Sequence, residues 1–496
     1  MEKRVKSVKF NAIMNTALTA SNMLVSLVTI PYVTRVLSVS GYGDVGFAQS
    51  VSMWLSAFCL VGIPTYGIRE CARVRDDPVA LAQIVRELLI IITVCTLVVL
   101  IPFGFCIEWL PRLRAISSLM WVFWVGTLLL SYGVEWYFQA IEDYAYITVR
   151  SVAFKILSLI LIICLVRESD DWFIYGLILA LITSGNNIFN IVRMFHNVPM
   201  SGIGEVRIRR HIKPLASYSV LSIASSLYLY FDSVLLGMCS IDNTEVAFYQ
   251  LATKVKGVLA QILTAIINAL VPRLSYYAVK DRKQYRRLLG TGMWVTVNLC
   301  MGIMCFLFVF SGPLVILISS KKYVGAILPM QIMGGVILFS GLNTFLGFCV
   351  LCPLGEEKKL AAANLLGVPI SVGLNVLFDS KLGALGAAIS VFIAEITIFC
   401  SLLKSTYRKL KDVSTISQCV KVILAHMVSV VMSFALATKL NVINRYEYNT
   451  IYSLEMLLAG FVFYSLSWLI ISLIAKENTA LWLKSQVMNK IIVVKR

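Results

Sequence analysis

Apolar residues in this chain do not alternate with polar ones; they run on. Stretches of about twenty residues with few charges follow one another from end to end, each long enough at about 1.5 Å per residue to cross a hydrocarbon core about 30 Å thick. Between charged breaks the first part of the chain predicts helices over 10–35, 45–69, 86–107, 115–138, 145–166, 171–193, 215–238 and 246–270. Six more follow at 291–318, 324–352, 361–378, 383–403, 417–438 and 451–475, so the expectation is an all-α integral membrane protein with fourteen transmembrane helices. The other structure that satisfies every backbone group in lipid is a closed barrel, whose strands alternate apolar and polar residues over about ten positions. No such alternation occurs. The opening MEKRVKSVKF looks like the charged region of a signal peptide. No small-residue cleavage site follows and the apolar run beyond it is too long, so it reads as a retained first helix.

Composition agrees: 59% of the residues are hydrophobic, 14% are charged and the mean hydropathy is +0.83, against about 25% charged residues in soluble domains. The net charge of +18 would suit a nucleic-acid partner, but the placement of the cations argues for membrane topology instead. With the amino terminus inside, about 33 Lys and Arg fall on the cytoplasmic side and about nine outside, which puts both termini in the cytoplasm. The cytoplasmic cations include Arg207, Arg209, Arg210 and Lys213, then Lys280, Arg282, Lys283, Arg286 and Arg287. Most of the twelve cysteines lie in apolar segments, where a thiol packs as a small hydrophobe. Cys349 and Cys352 form one CxxC with no second pair and no nearby histidine. Core packing is the expectation there, and neither a metal nor a cofactor is called for.

A weak internal repeat recurs at about 200 residues, as in transporters built by duplication. DVGFAQ from Asp44 opens the second predicted helix and EVAFYQ from Glu245 opens the eighth; FQAIED around Gln139 and Glu142 follows the fourth, and CPLGEE around Gly355 and Glu356 follows the tenth. Six helices separate the copies, so both run in the same direction. The expected organisation is a six-helix lobe over 1–205, a second over 206–410, and two further helices with a cytoplasmic tail over 411–496. The substrate path would lie between the lobes.

Catalysis is not expected. His196, His211 and His426 are scattered, no triad or zinc spacing occurs, and the external connections are too short to hold a catalytic domain. Polar residues inside spans carry more information, because each is costly in lipid unless it meets a cavity or a partner. Asn15, Asn22, Ser26 and Thr29 recur at helical spacing on one face of the first helix, and Gln250, Lys254, Gln261 and Asn268 do so on the eighth. Both faces read as the wet lining of a cavity, with hydrogen-bonded helix packing as the alternative for Ser and Thr.

Arg35 ends the first predicted helix, Arg69 ends the second, and Lys254 and Lys256 lie within the eighth. Arg35, Arg69 and Lys254 form the candidate anion site. A guanidinium fork grips two oxygens of a diphosphate at once and Lys adds a point charge; the alternative for the two arginines is snorkelling to headgroups. Glu135, Asp232, Glu395 and Glu455 are the expected buried acids. Asp232 is assigned to Lys254, as an ion-coupling pair or as a structural one, and a coupling ion would be H+ or Na+.

The segments IPYVTRVLSVSGYGDVGFAQS, GIPTYGIRECARVRDD, DSVLLGMCSIDNTEVAFYQLATKV and NALVPRLS resemble the oligosaccharide flippases of the Wzx type, which belong with the multidrug and toxic compound extrusion (MATE) transporters. The resemblance runs along most of the first twelve helices. It implies two pseudo-symmetric six-helix bundles around a cationic cavity in a bacterial inner membrane. That cavity would receive a polyprenyl-diphosphate-linked glycan, the repeat unit of an O-antigen, capsule or similar polysaccharide, and release it outside by alternating access. Arg35, Arg69 and Lys254 match the cationic positions. Tyr32, Trp136, Tyr230 and Asn343 become candidates to line a glycan cavity, and a polysaccharide polymerase and other biosynthesis proteins become expected partners. Two rival readings share the architecture: a multidrug or cation exporter, and a flippase for a teichoic acid or lipid II type precursor.

Overall fold

The structure is a computed structural model that describes residues 8–198, 205–240, 242–411, 416–439, 450–481 and 485. Every regular element among them is helical. Thirteen helical stretches are long and apolar enough to cross a membrane, and one bent pair makes a fourteenth. The chain is therefore an all-α, multi-pass membrane protein. It divides into two compact units, Met1–Ala247 and Phe248–Arg496.

The first unit begins with α1 (Val8–Val36), α2 (Val39–Leu60), α3 (Ile63–Arg73), α4 (Pro78–Trp109) and α5 (Pro111–Arg114). It continues with α6 (Ser117–Ser131), α7 (Glu135–Ala140), α8 (Tyr144–Leu165), α9 (Trp172–Ala180), α10 (Asn187–Asn197) and α11 (Arg209–Cys239). Its central post is α2, against which α4, α6, α9 and α11 pack. Buried Gly46, Ala48, Ser50, Ser52 and Ser56 give α2 a small-residue surface that lets neighbouring backbones approach, which is how helices associate where lipid removes the hydrophobic drive. Ser52 Oγ adds a hydrogen bond to Thr127 Oγ1 of α6 at 2.7 Å. Asn243, in the turn after α11, donates to Asp44 Oδ1 of α2 at 2.6 Å and accepts from Arg112 at 2.6 Å, so one polar chain ties three segments of this unit.

Two predicted straight helices are broken. The span read as 45–69 starts at Val39, and its polypeptide turns by 42° before continuing as α3. Val61 and Gly62 both take left-handed backbone there (φ 44° and 72°), and Pro64 restarts the helix without needing the amide it lacks. A Cβ at Gly62 would lie 2.5 Å from the Tyr218 backbone, so only glycine fits. The span read as 115–138 breaks at Val134 (φ 39°) and resumes as α7. Hydropathy windows sum apolar character along the chain, which continues through a change of backbone hand over one or two residues.

The second unit takes most of α12 (Thr244–Lys280), then α13 (Arg282–Ile318), α14 (Ile327–Phe345), α15 (Glu357–Leu382), α16 (Ala384–Leu410), α17 (Ile416–Lys439) and α18 (Thr450–Ile474). With 37 residues each, α12 and α13 run about 55 Å, well beyond a hydrocarbon core. Lys280 ends α12 and Arg282, Lys283, Arg286 and Arg287 lie in the first turns of α13, which Asp281 caps by accepting from the Lys283 and Gln284 amides. Next, α14 packs on α13 and α16, and α15 on α16, while α17 and α18 pack on each other and both on α13.

That last contact is specific. Phe310 leaves helical geometry (φ −108°, ψ 15°) just before Pro313, and its ring lies on Gly460 of α18, where a Cβ would come within 2.4 Å. Beside it His426 Nδ1 is 2.7 Å from Tyr464 OH, and His426 Nε2 is 3.2 Å from Asn298 Oδ1. Asn298 in turn donates to Thr479 Oγ1 at 3.0 Å.

The segments FQAIED and CPLGEE each end a helix in the same kind of closing turn, one that Glu477 also makes on Ser472 through Lys476 (φ 52°) outside the paired segments. The Asp143 amide reaches back to the Phe138 carbonyl at 2.9 Å, and the Glu356 amide to the Leu351 carbonyl at 3.0 Å. Each closure passes through a left-handed residue, Glu142 (φ 58°) or Gly355 (φ 72°). The backbone register thus pairs Glu142 with Gly355, one residue away from the pairing read off FQAIED and CPLGEE. Each turn then docks through its acid, Glu142 on Arg75 at 2.6 Å and Glu356 on Lys359 at 3.0 Å and on Lys409.

Candidate functional site

The break at Gly62 aims α3 so that its buried face, Ile63, Tyr66, Gly67 and Cys71, meets the unit's core and Arg69 stands on the other edge. Arg69 is 42% exposed. Its guanidinium carbon lies 5.4 Å from the Tyr66 ring and 5.4 Å from the Tyr218 ring of α11, so the planar group is flanked by two aromatic faces. Nη1 donates to Tyr218 OH at 2.9 Å and Nη2 reaches Glu70 Oε1 at 2.8 Å. Tyr66 is fixed from behind. Tyr66 OH is 2.7 Å from His211 Nδ1, and His211 Nε2 donates to Glu87 Oε2 at 2.7 Å. Fully buried Glu87 also accepts from the Arg207 amide at 2.8 Å and from Arg210 Nε at 2.8 Å. This carboxylate joins α4 to the start of α11 and sets the side of α11 that carries Tyr218.

A second charged cluster lies on α8. Arg150 has a side chain only 6% exposed, with Nη2 at 3.7 Å from Glu135 Oε2, and Glu135 is itself 41% exposed. Lys155 donates to Ser21 Oγ of α1 at 2.9 Å. Neither cation was singled out by the sequence reading, although both stand in the predicted span 145–166, where a charge in an apolar window is the available signal.

The other candidates fall as follows. Arg35 is exposed in the last turn of α1, where its charge suits the helix's carbonyl end. Between Arg35 and Arg69 runs all of α2, 22 residues or about 33 Å, so the two stand toward opposite ends of the first unit and are not brought together. Lys254 and Lys256 are both half-buried on α12. Asp232 is buried in the first unit, whereas Lys254 belongs to the second. Asn22 is exposed on α1; the Asn15 side chain lies outside the described residues; Ser26 and Thr29 hydroxyls bond to the Asn22 and Val25 carbonyls of their own helix. Gln261 and Asn268 are exposed on α12.

Several readings change. Asn343 is buried and donates to Glu395 Oε2 at 2.6 Å, joining α14 to α16. Trp136 is buried in the core of the first unit beneath Gly67, and Tyr32 OH donates to the Val166 carbonyl at 2.8 Å, fastening α1 to the end of α8. Tyr230 is half-buried. Among the four expected buried acids, Glu455 is exposed on α18 and Glu135 is part-exposed. Spacing along a helix fixes which residues share a face, and only the neighbouring helices decide what that face meets.

The profile described as "Polysaccharide biosynthesis protein" matches residues 8–278, more than half of the chain. The chain belongs to the polysaccharide biosynthesis protein family. Within that family setting, it is 25% identical over 405 residues to the "Putative O-antigen transporter" of Escherichia coli (strain K12), covering 78% of this chain and 94% of that one. A protein of the same name from Shigella dysenteriae is 25% identical over 411 residues, covering 78% and 96%. Among solved structures, "Lipid II flippase MurJ, inward closed conformation" aligns with a TM-score of 0.64 at 14% identity, over 93% of this chain and 99% of that one. An inward-facing multidrug resistance MATE transporter of the MOP superfamily aligns with a TM-score of 0.61 at 14% identity, over 80% and 96%. At such identities these two establish the fold: this member of the family has the MATE and MurJ architecture.

Proposed function

We propose that this protein is a flippase that carries a polyprenyl-diphosphate-linked oligosaccharide, the repeat unit of a surface polysaccharide, from the cytoplasmic to the outer face of a bacterial inner membrane by alternating access. The observation that carries this reading is the similarity to O-antigen transporters along 94% and 96% of their length. Such a cargo has an anionic headgroup and a hydroxyl-rich glycan. Arg69, flanked by two tyrosines, offers a fork for phosphoryl oxygens beside aromatic faces of the kind that sugars stack on. Arg35 and Lys254 are the other proposed headgroup contacts. Because Arg35 and Arg69 are separated by the length of α2, they would meet the diphosphate in succession, one near the entry side and the other near the exit. Both termini are placed in the cytoplasm by the loop charges, and no bond in the cargo is made or broken.

Deleting the gene should abolish surface polysaccharide and leave lipid-linked units on the cytoplasmic face. Complementation with Arg69→Ala at wild-type abundance should restore at most about a tenth of export, as expected for losing a charge-assisted contact. Normal export in the null strain would reject the reading. Altered resistance to cationic dyes with an intact glycan would favour a multidrug exporter.

A further inference from the structure

We propose that the hairpin where α12 runs into α13 is a docking surface for anionic phospholipid, whose phosphodiester headgroups it engages through Lys280, Lys283 and Arg287. From Arg273 to Arg287 stand six cations, Arg273, Lys280, Arg282, Lys283, Arg286 and Arg287, against a single acid, Asp281. That acid is already committed, because its Oδ1 accepts from the Lys283 and Gln284 amides. All six cations are exposed, whereas Leu274, Tyr285 and Leu289 are buried, so the hairpin has an inner face packed on the protein and a charged outer face. Tyr285 OH donates to the Cys349 carbonyl at 3.4 Å, which fixes this division to the chain that follows α14.

Helix energetics alone do not account for this arrangement. The start of a helix is the positive end of its dipole, where cations are disfavoured, yet Arg282, Lys283, Arg286 and Arg287 all stand in the first two turns of α13. Lys283 and Arg287 are four residues apart, as are Arg282 and Arg286, so like charges also repel along each stripe. An external anion relieves both costs. The outer face is apolar as well: Val279 is 87% exposed, and Tyr276, 57% exposed, has its ring 5.9 Å from Lys280 Nζ. Cations beside an exposed aliphatic side chain and an amphipathic ring suit the boundary where phosphates meet acyl chains, whereas a soluble polyanion would leave Val279 and Tyr276 in water. The apolar run of α13 begins at Leu288, directly after Arg287, so the cations flank a membrane crossing, the usual place for basic clusters that hold anionic lipid. The same cations could orient the chain during insertion and hold no lipid afterwards, and the experiment separates the two.

The full chain in nonionic detergent is titrated with phosphatidylglycerol or phosphatidylcholine, and bound lipids are counted by native mass spectrometry. Wild type should bind phosphatidylglycerol the more tightly, and raising ammonium acetate from about 0.05 M to about 0.5 M should weaken that preference. Lys283→Gln combined with Arg287→Gln should raise the Kd for phosphatidylglycerol about tenfold, the scale of two cations near an anionic surface, and leave phosphatidylcholine unchanged. A matched pair, Lys404→Gln with Arg408→Gln, is also exposed and four residues apart, but lies toward the end of α16, where the helix dipole favours cations. It should change the Kd by less than about twofold, since those charges are locally satisfied. Val279→Asp removes no cation and no buried group, and should raise the Kd severalfold by placing a carboxylate among the headgroups. Should the Lys283 and Arg287 variant fail to fold, Val279→Asp and the salt dependence of wild type still decide. Equal losses in the two pairs, an affinity that Val279→Asp leaves unchanged, or equal wild-type affinity for the two lipids would overturn the proposal and leave these cations as determinants of topology.

Discussion

At the scale of single residues, the decisive feature is one glycine. Gly62 has φ 72° and its α-carbon faces the Tyr218 backbone, so the direction of α3, and with it the place of Arg69, depends on a position where no side chain fits. Gly62→Ala should lower stability by about 1–3 kcal/mol, the usual range for a residue forced into a sparsely populated backbone region. Thermal melting of the detergent-solubilised protein checks this. Arg69 was legible in the sequence as a cation at the end of a span. Tyr218 beside it was not, because it is remote in the chain and reaches Arg69 only through the packing of α11 on α3. Nor were the partners of Asn343 and Trp136: an amide in an apolar span looks the same whether it lines a cavity or bonds to a buried glutamate.

At the scale of elements, buried polar contacts hold the last two helices to α13. His426 joins α17 to Tyr464 of α18 and to Asn298 of α13, so His426→Leu should leave the buried Asn298 Oδ1 unpaired, remove one bond from Tyr464, and cost about 1–3 kcal/mol. A double-mutant cycle with Tyr464→Phe should return a coupling of about 0.5–3 kcal/mol; additivity would mean that the contact contributes nothing. The turn before α15 makes a prediction about pH. Lys409 first, and then Lys359, hold the Glu356 carboxyl below its usual titration range. A carboxylate whose folded pKa is depressed contributes stability above its unfolded value and loses it as the pH falls through the folded one. Glu356→Gln should therefore be less stable than wild type at neutral pH. The two melting curves should converge on acidification below the ordinary carboxylate range, and a gap independent of pH would exclude the ion pair as its cause.

At the scale of the molecule, the number and order of spans, the all-α class and the resemblance to a transporter family were readable from residues alone. Each of these follows from the solvent: lipid demands about twenty apolar residues per crossing and an internal partner for every backbone amide, and that demand is written continuously along the chain. Tertiary structure alone decided which charges meet. It set Arg35 and Arg69 apart by the length of α2, placed Glu455 and Asn22 on exposed faces, and brought Glu135 toward Arg150 from another helix. Hydropathy is a sum over neighbours in sequence, so it survives reading one residue at a time. An ion pair depends on a few ångströms between residues that the chain separates, and only the packing of helices supplies that distance.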